Sequence, residues 1–222
     1  MKMTRELQRK MRSYKALTEA VIRREARSLG CKQIAGFTYK VRGEMIVWLD
    51  LIPAFTDEDQ IRLRATVYVK SRALDPIFWE ILGIADETAG KPVSFHVNGA
   101  FVTDFYRTGL IELPIEGELT EEQAARALAA ANDMAENALE VFPDTAAFEE
   151  LLDSRALEGR EADCRTEKLL CRIFAGDLTG ALDLAQRSLD EGSRHFTLTE
   201  QGEKSFMEQA AQWCSEKLEG TP

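Results

Sequence analysis

The chain has 222 residues, of which 45% are hydrophobic and 30% charged, a composition typical of globular proteins. Its longest apolar stretches, such as residues 45–54, are far shorter than the about 20 residues that a membrane-spanning helix needs, and the sequence does not open on a secretory signal pattern. Collagenous, disordered and membrane-spanning classes are therefore excluded, and we expect a cytoplasmic protein.

The charge is unevenly distributed along the chain. Residues 1–72 contain 16 Lys and Arg against 8 Asp and Glu, whereas residues 73–222 contain 12 against 30, and the whole chain carries −10. This asymmetry indicates either an anionic partner for the basic part or attraction between the two parts. The four cysteines form no C-x-x-C pair, so we expect reduced, buried thiols.

The first predicted element is a long amphipathic helix over residues 4–29, which Gly30 ends. At 100° per residue, five arginines fall within roughly 60° of one another, opposite the apolar stripe. These residues are Arg5, Arg9, Arg12, Arg23 and Arg27. A basic ridge on the first helix is predicted, and we expect it to pair with the acidic C-terminal helices or to be solvated rather than to bind phosphates or a membrane surface.

Alternating residues then predict three strands over 33–42, 45–53 and 61–70, with a tight turn at Arg42-Gly43-Glu44. A short helical turn through Leu82 is then predicted, with Asp75 as its N-cap and Pro76 as its first residue. Asn98-Gly99 is a strong hairpin signal and predicts strands over 92–97 and 100–106, with His96 as a cross-strand partner of Phe101. Residues 110–115 can add another strand.

The pattern becomes helical after Gly117. Thr120-Glu121-Glu122-Gln123 is a capping box that opens an alanine-rich helix, and further helices are predicted toward Leu152 and over 160–175, 179–190 and 199–218. The predicted fold is α+β, with a long N-terminal helix, an antiparallel sheet of about five or six strands and a C-terminal group of antiparallel helices. We expect two regions, 1–117 and 118–222, which could pack together as one domain.

Two parts of the chain resemble known families. The stretch Leu169–Leu182, with Ala181 at a close-packing position, resembles a single tetratricopeptide-type helical hairpin within residues 165–190. In the N-terminal 80 residues, the order of helix, Leu29-Gly30-Cys31, Gly36-Phe37-Thr38-Tyr39 and Trp48-Leu49-Asp50-Leu51 resembles a bacterial family known only as a domain of unknown function. These resemblances imply a fold and no activity.

The sequence lacks the usual signatures of catalysis. It has no phosphate-binding P-loop, no G-x-G-x-x-G, no G-x-S-x-G and no H-E-x-x-H, and its only histidines are His96 and His195. We therefore predict no catalytic residue, no cofactor and no metal site. We therefore favour a protein that is not an enzyme.

One constellation stands out, on the polar face of the three predicted strands. It combines cations with aromatic side chains, an arrangement that can hold anionic or nucleic-acid ligands through charge and stacking. The predicted ligand-binding residues are Lys40, Arg42, Trp48, Asp50, Arg62, Arg64, Tyr68 and Lys70, with Thr66 on the same face. An open sheet with one solvated face has the same composition, and Asp50 could pair with Arg62 or Arg64.

Three functional hypotheses remain open. The first is a non-catalytic binding protein whose partner is another protein, and no membrane is involved. The second is an anion, nucleotide or nucleic-acid binder that uses the basic aromatic face of the sheet. The third is an enzyme of unrecognised type.

Overall fold

The computed structural model describes residues 4–55, 60–155, 164–192 and 204–220. The described elements are α1 (Arg5–Glu25), β1 (Lys32–Ile34), β2 (Phe37–Arg42), β3 (Met45–Phe55), β4 (Ile61–Ser71), α2 (Leu74–Ile81), α3 (Ala85–Thr88), α4 (Phe95–Asn98), β5 (Tyr106–Pro114), α5 (Glu121–Val141), α6 (Thr145–Arg155), α7 (Arg165–Phe174), α8 (Leu178–Asp190) and α9 (Phe206–Glu219). The predicted α+β class is confirmed. The parts of predicted helices at 160–163 and 199–203, and His195, lie outside the described residues.

The five strands form one antiparallel sheet in the order β1-β2-β3-β4-β5. The predicted single strand over 33–42 is two strands, because Ala35 and Gly36 both have positive φ and make a two-residue hairpin between Ile34 and Phe37. The tight turn predicted at Gly43 is present, and Gly43 has a φ of 55°. The antiparallel sheet therefore begins with a β1–β2 hairpin that the alternation of residues does not predict.

The hairpin predicted around Asn98-Gly99 is wrong. Residues 95–98 form the short helix α4, and Gly99 has a φ of −70° rather than the positive φ that a tight hairpin turn uses. Position 99 has no room for a side chain, since a Cβ there would lie 2.5 Å from the carbonyl oxygen of Phe95. His96 is accordingly not a cross-strand partner, and β5 begins only at Tyr106.

The described contacts divide the chain into two compact units, which do not follow the predicted boundary at residue 117. Unit 1 comprises Met1–Lys70 and Phe105–Phe142, and unit 2 comprises Ser71–Asp104 and Pro143–Pro222. The chain passes between the units three times. Each unit therefore combines segments that are distant in sequence.

In unit 1, α1 and α5 pack against one face of the sheet. Strand residues on this inner face, such as Val47, Leu63 and Val67, are at most 1% exposed. The capping box predicted at Thr120 and Gln123 opens α5, whose buried side is mostly alanine. Alanines allow a helix to approach the sheet closely, and at Gly109 an added Cβ would lie 3.3 Å from the Met134 sulfur.

In unit 2, α8 packs against α7 and α9, and α2 packs against α7 and α9. Gly176 ends α7 with a φ of 82°, and the Asp177 carboxylate accepts a hydrogen bond from the Gly180 N–H to begin α8. Ala181 is fully buried. A helical pair therefore occupies the predicted position, while the resemblance to a tetratricopeptide hairpin stays a prediction.

Candidate functional site

The sheet separates the eight predicted ligand-binding residues onto two faces. Tyr39 pairs with Trp48 across β2 and β3, so Lys40 and Arg42 point to the face opposite Trp48. On that face, Lys40 Nζ and Arg42 Nη2 both donate to the carboxylate of Glu136 on α5, the second at 2.6 Å. Lys40 is buried and Arg42 exposed. One carboxylate therefore pairs with both cations.

Four aromatic side chains of unit 1 form a cluster on the other face. Trp48 and Tyr68 stack with ring centroids 4.5 Å apart and an interplanar angle of 17°. Phe37 and Phe105 contact the Trp48 ring at 5.0 Å and 5.9 Å. We call Phe37, Trp48, Tyr68 and Phe105 the aromatic cluster. Trp48 and Tyr68 therefore each use one ring face to pack on the other.

The cations near the aromatic cluster are also engaged. Arg64 donates from Nε and Nη2 to Glu112 Oε1, at 3.0 Å and 2.7 Å, from a directly paired position on β5. Lys70 is fully buried, with Nζ 5.4 Å from the centroid of the Phe105 ring. Arg62 is half-buried on β4. Asp50 lies on β3, and its own burial raises the pKa of its carboxyl group. Ligand binding by these eight residues stays a prediction that the geometry does not strengthen.

The predicted basic ridge on α1 is different. Arg5, Arg9, Arg12 and Arg23 lie on α1 and Arg27 in the turn that follows it, and all five are exposed. Within residues 4–55, 60–155, 164–192 and 204–220, none of the five guanidinium groups has an ion-pair or hydrogen-bond partner. We call these five residues the arginine face.

Other cations of α1 contrast with the arginine face. Lys10 Nζ lies 3.0 Å from Glu118, and Arg24 Nη1 lies 2.8 Å from Glu121 at the start of α5. The Lys10 ammonium and the Tyr14 hydroxyl, both bonded to Glu118, lower the pKa of that carboxyl. Lys10 and Arg24 are therefore paired within unit 1, whereas the arginine face has no partner among the described residues.

The spacing along α1 gives the arginine face two parts. Arg5 to Arg12 spans about 10 Å, and the gap from Arg12 to Arg23 is about 17 Å at 1.5 Å per residue. Ala16 and Ala20 are exposed in this gap. The two arginine groups thus flank a stretch with short side chains, which allows a partner element to approach the helix closely.

A cavity of about 400 Å³ lies next to the second arginine group, between α1 and the β1–β2 hairpin. Gln33 Nε2 donates to the carbonyl oxygen of Ile22 at 3.1 Å and ties the hairpin to α1. The cavity is lined by Glu19, Ile22, Arg23, Gln33, Ile34, Ala35, Gly36, Phe37 and Thr38. Its walls combine apolar side chains with one guanidinium group that has no partner in the described part of the chain.

Unit 2 contains a buried network around Asp75. Asp75 lies within the first turn of α2 rather than at its N-cap, and it is fully buried. Its Oδ1 accepts from the Thr103 N–H and Oγ1 at 2.8 Å and 2.7 Å, and its Oδ2 lies 2.7 Å from His96 Nδ1. The contacts provide hydrogen-bond partners for a buried carboxyl group and attach residues 96–103 to α2.

The thiols do not suggest a reactive centre. All four cysteines are free and buried. Burial raises the pKa of Cys214 to about 11 and that of Cys171 further, so both thiols stay protonated at neutral pH.

In the described part of the chain, no group of three or more His, Cys, Asp and Glu side chains is placed to hold a metal ion. None of the helices described there combines the length and apolarity needed to cross a bilayer.

The chain matches no protein-family model, and no curated protein and no solved structure is significantly similar to it. Its function is therefore argued from the geometry of its own residues. The candidate functional site consists of the arginine face and the adjoining cavity. The sequence pattern predicted the first of these and gave no sign of the second.

Proposed function

We propose that this chain is a non-catalytic binding protein that engages an acidic partner protein through the arginine face of α1. The observation that carries the proposal is that these five exposed guanidinium groups have no partner among the described residues. Neighbouring cations such as Lys10, Arg24 and Lys40 are each paired with a carboxylate. An arginine can bind a carboxylate with two parallel hydrogen bonds, which favours an acidic protein surface as partner.

A protein partner is favoured over a nucleic acid by the side chains that lie beside the arginines. Single-stranded nucleic acids are usually held by aromatic side chains beside the cations. Here the rings of the aromatic cluster stack on one another, while the gap in the arginine face contains Ala16 and Ala20.

The proposal is tested with a fluorescently labelled, glutamate-rich peptide and anisotropy measurements at several salt concentrations. Wild-type protein should bind this probe, and the affinity should fall as salt is added. The variant Arg5→Gln, Arg9→Gln, Arg12→Gln should bind about tenfold more weakly, since each lost surface ion pair contributes about 0.2–1 kcal/mol. Circular dichroism should show an unchanged fold because these side chains are exposed.

A matched control removes three exposed cations of unit 1 that lie outside α1. The control variant is Lys32→Gln, Arg107→Gln, Arg126→Gln, which changes the net charge by the same amount. Its affinity for the peptide should stay within about twofold of wild type, because only long-range attraction is altered. Equal losses in both variants, or the absence of salt-sensitive binding in wild type, would refute the proposal. Tighter binding of a single-stranded RNA than of the peptide would overturn it in favour of a nucleic-acid binder.

A further inference from the structure

We infer that the cavity between α1 and the β1–β2 hairpin receives a bulky apolar side chain from the acidic partner segment. This inference rests on the proposed function, because Arg23 belongs both to the arginine face and to the cavity wall. A partner that pairs its carboxylates with Arg23 would place its neighbouring side chain at the opening of the cavity. The arginine face then supplies charge, and the cavity supplies the selection of one side chain.

The lining of the cavity favours an apolar occupant. Ile22, Ile34 and Phe37 provide aliphatic and aromatic walls, and the volume of about 400 Å³ lies within the range of about 300–1,000 Å³ typical of ligand pockets. The Glu19 carboxylate, which also lines the cavity, lies 3.9 Å from Lys15 Nζ. Arg23 therefore remains to attract a carboxylate next to the apolar group.

The walls of the cavity are fixed by contacts within unit 1. Gln33 holds the hairpin to the carbonyl oxygen of Ile22, and Phe37 packs against Trp48 with ring centroids 5.0 Å apart. At the hairpin turn, Ala35 presents only a methyl group, and a Cβ added at Gly36 would meet nothing within 4 Å. A cavity with anchored walls and an open turn can admit a side chain without rearrangement of the backbone.

The spacing of the arginine face defines the sequence of the partner segment. Arg12 and Arg23 are about 17 Å apart along α1, a distance that about five residues of extended chain cover at about 3.3 Å each. The partner should therefore carry a block of acidic residues for Arg5, Arg9 and Arg12. An apolar residue followed by an acidic residue should come about five positions from that block.

Two peptides of this design test the inference by anisotropy. One carries a glutamate block and, about five residues away, Phe-Glu; the other has Ala-Glu at the same place. Wild-type protein should bind the Phe peptide about tenfold more tightly, because burial of an aromatic side chain removes apolar surface from water. Ile34→Trp fills the cavity and should remove this preference, as should Ile34→Ala, which keeps the cavity open but deletes one of its walls.

The matched control is Ile52→Trp, which places the same bulky group on an exposed position of β3 that does not line the cavity. This variant should keep the preference for the Phe peptide. If wild-type protein binds both peptides equally and in a salt-sensitive manner, the cavity inference is wrong and the arginine-face proposal stands. If neither peptide binds, both are wrong. Loss of the preference in Ile52→Trp would also overturn the inference, because the cavity would then not be its source.

Discussion

Ala35 occupies a backbone conformation that its side chain does not favour. It has a φ of 47° and is followed by Gly36 with a φ of 87°, in the two-residue turn that joins Ile34 to Phe37. Positive φ at both central residues defines a type I′ turn, in which Asn-Gly is the preferred pair. An L-residue other than Gly, Asn or Asp is strained there, and Ala35 is also part of the cavity wall.

Ala35→Asn should therefore raise the free energy of unfolding by about 1 kcal/mol, because asparagine tolerates the left-handed conformation better than alanine. The change is measured by urea denaturation monitored by circular dichroism. Ala129→Asn on the exposed side of α5 is the control, and it should lower stability by up to about 0.7 kcal/mol, since asparagine is a poor helix former. A decrease in stability for Ala35→Asn would show that the turn is not strained.

Three short motifs show what local sequence could and could not predict. The sequence pattern predicts the tight turn at Gly43, but it places Ala35-Gly36 in a strand because alanine carries no turn signal. Asn98-Gly99 carries the strongest hairpin signal and does not form a hairpin. Here the burial of Asp75, with Thr103 and His96 as its partners, outweighs the local preference. Contacts between residues more than 20 positions apart are not visible in a two-residue motif.

At the scale of elements, α5 provides carboxylates to the basic N-terminal segment. Glu136 binds Lys40 and Arg42, and Glu121 in the first turn of α5 binds Arg24. The side chain of Lys40 is only 9% exposed, whereas Glu136 is 38% exposed. Loss of the carboxylate would leave a largely buried ammonium group without its charge partner, so this pair should matter more for stability than one at the surface.

Glu136→Gln should lower the free energy of unfolding at neutral pH by about 2 kcal/mol, between the roughly 1 kcal/mol limit of exposed pairs and the about 3–5 kcal/mol cost of breaking a buried one. The control on the same helix is Glu122→Gln, whose partner Arg126 is 4.0 Å away on the surface. It should cost less than about 0.5 kcal/mol. Denaturation at pH 7 compares the two, and equal losses would contradict the role of burial at Lys40.

The same pair makes a prediction about pH. The hydrogen bond from Lys40, followed by the charges of Lys40 and Arg42, lowers the pKa of Glu136 from its ordinary value of 4.5. A carboxyl with a lowered pKa contributes stability that is present above 4.5 and lost as the pH falls through the folded-state value. The difference between wild type and Glu136→Gln should therefore shrink in acid.

The elements themselves were predictable to a large extent, whereas their pairing was not. Periodicity and the capping box predicted α1, α5 and the arginine side of α1. The partners of Lys40, Arg42 and Arg64 lie between 48 and 96 positions away in the chain, so only the fold reveals them. As a result, the sequence overestimated how many cations of the sheet are available to a ligand.

At the scale of the whole molecule, the net charge of each compact unit differs from the net charge of the corresponding half of the sequence. Unit 1 contains 17 Lys and Arg and 16 Asp and Glu, because β5 and α5 return acidic residues to the basic N-terminal segment. Unit 2 contains 11 Lys and Arg against 22 Asp and Glu. Unit 1 is therefore nearly neutral and rich in ion pairs, and unit 2 has a large excess of like charges.

Salt should consequently stabilise unit 2 and leave unit 1 unchanged or less stable. The Debye length falls from about 30 Å at 0.01 M to about 8 Å at 0.15 M salt, so added sodium chloride weakens repulsion within unit 2 and the exposed ion pairs of unit 1. Hydrogen exchange measured by mass spectrometry should show greater protection of α7 and α8 in salt. The protection of α1 and the start of α5 should stay constant or fall, since the Lys10–Glu118 and Arg24–Glu121 pairs are screened. An equal rise in both units would indicate a general salt effect on apolar burial and would contradict an electrostatic difference between them.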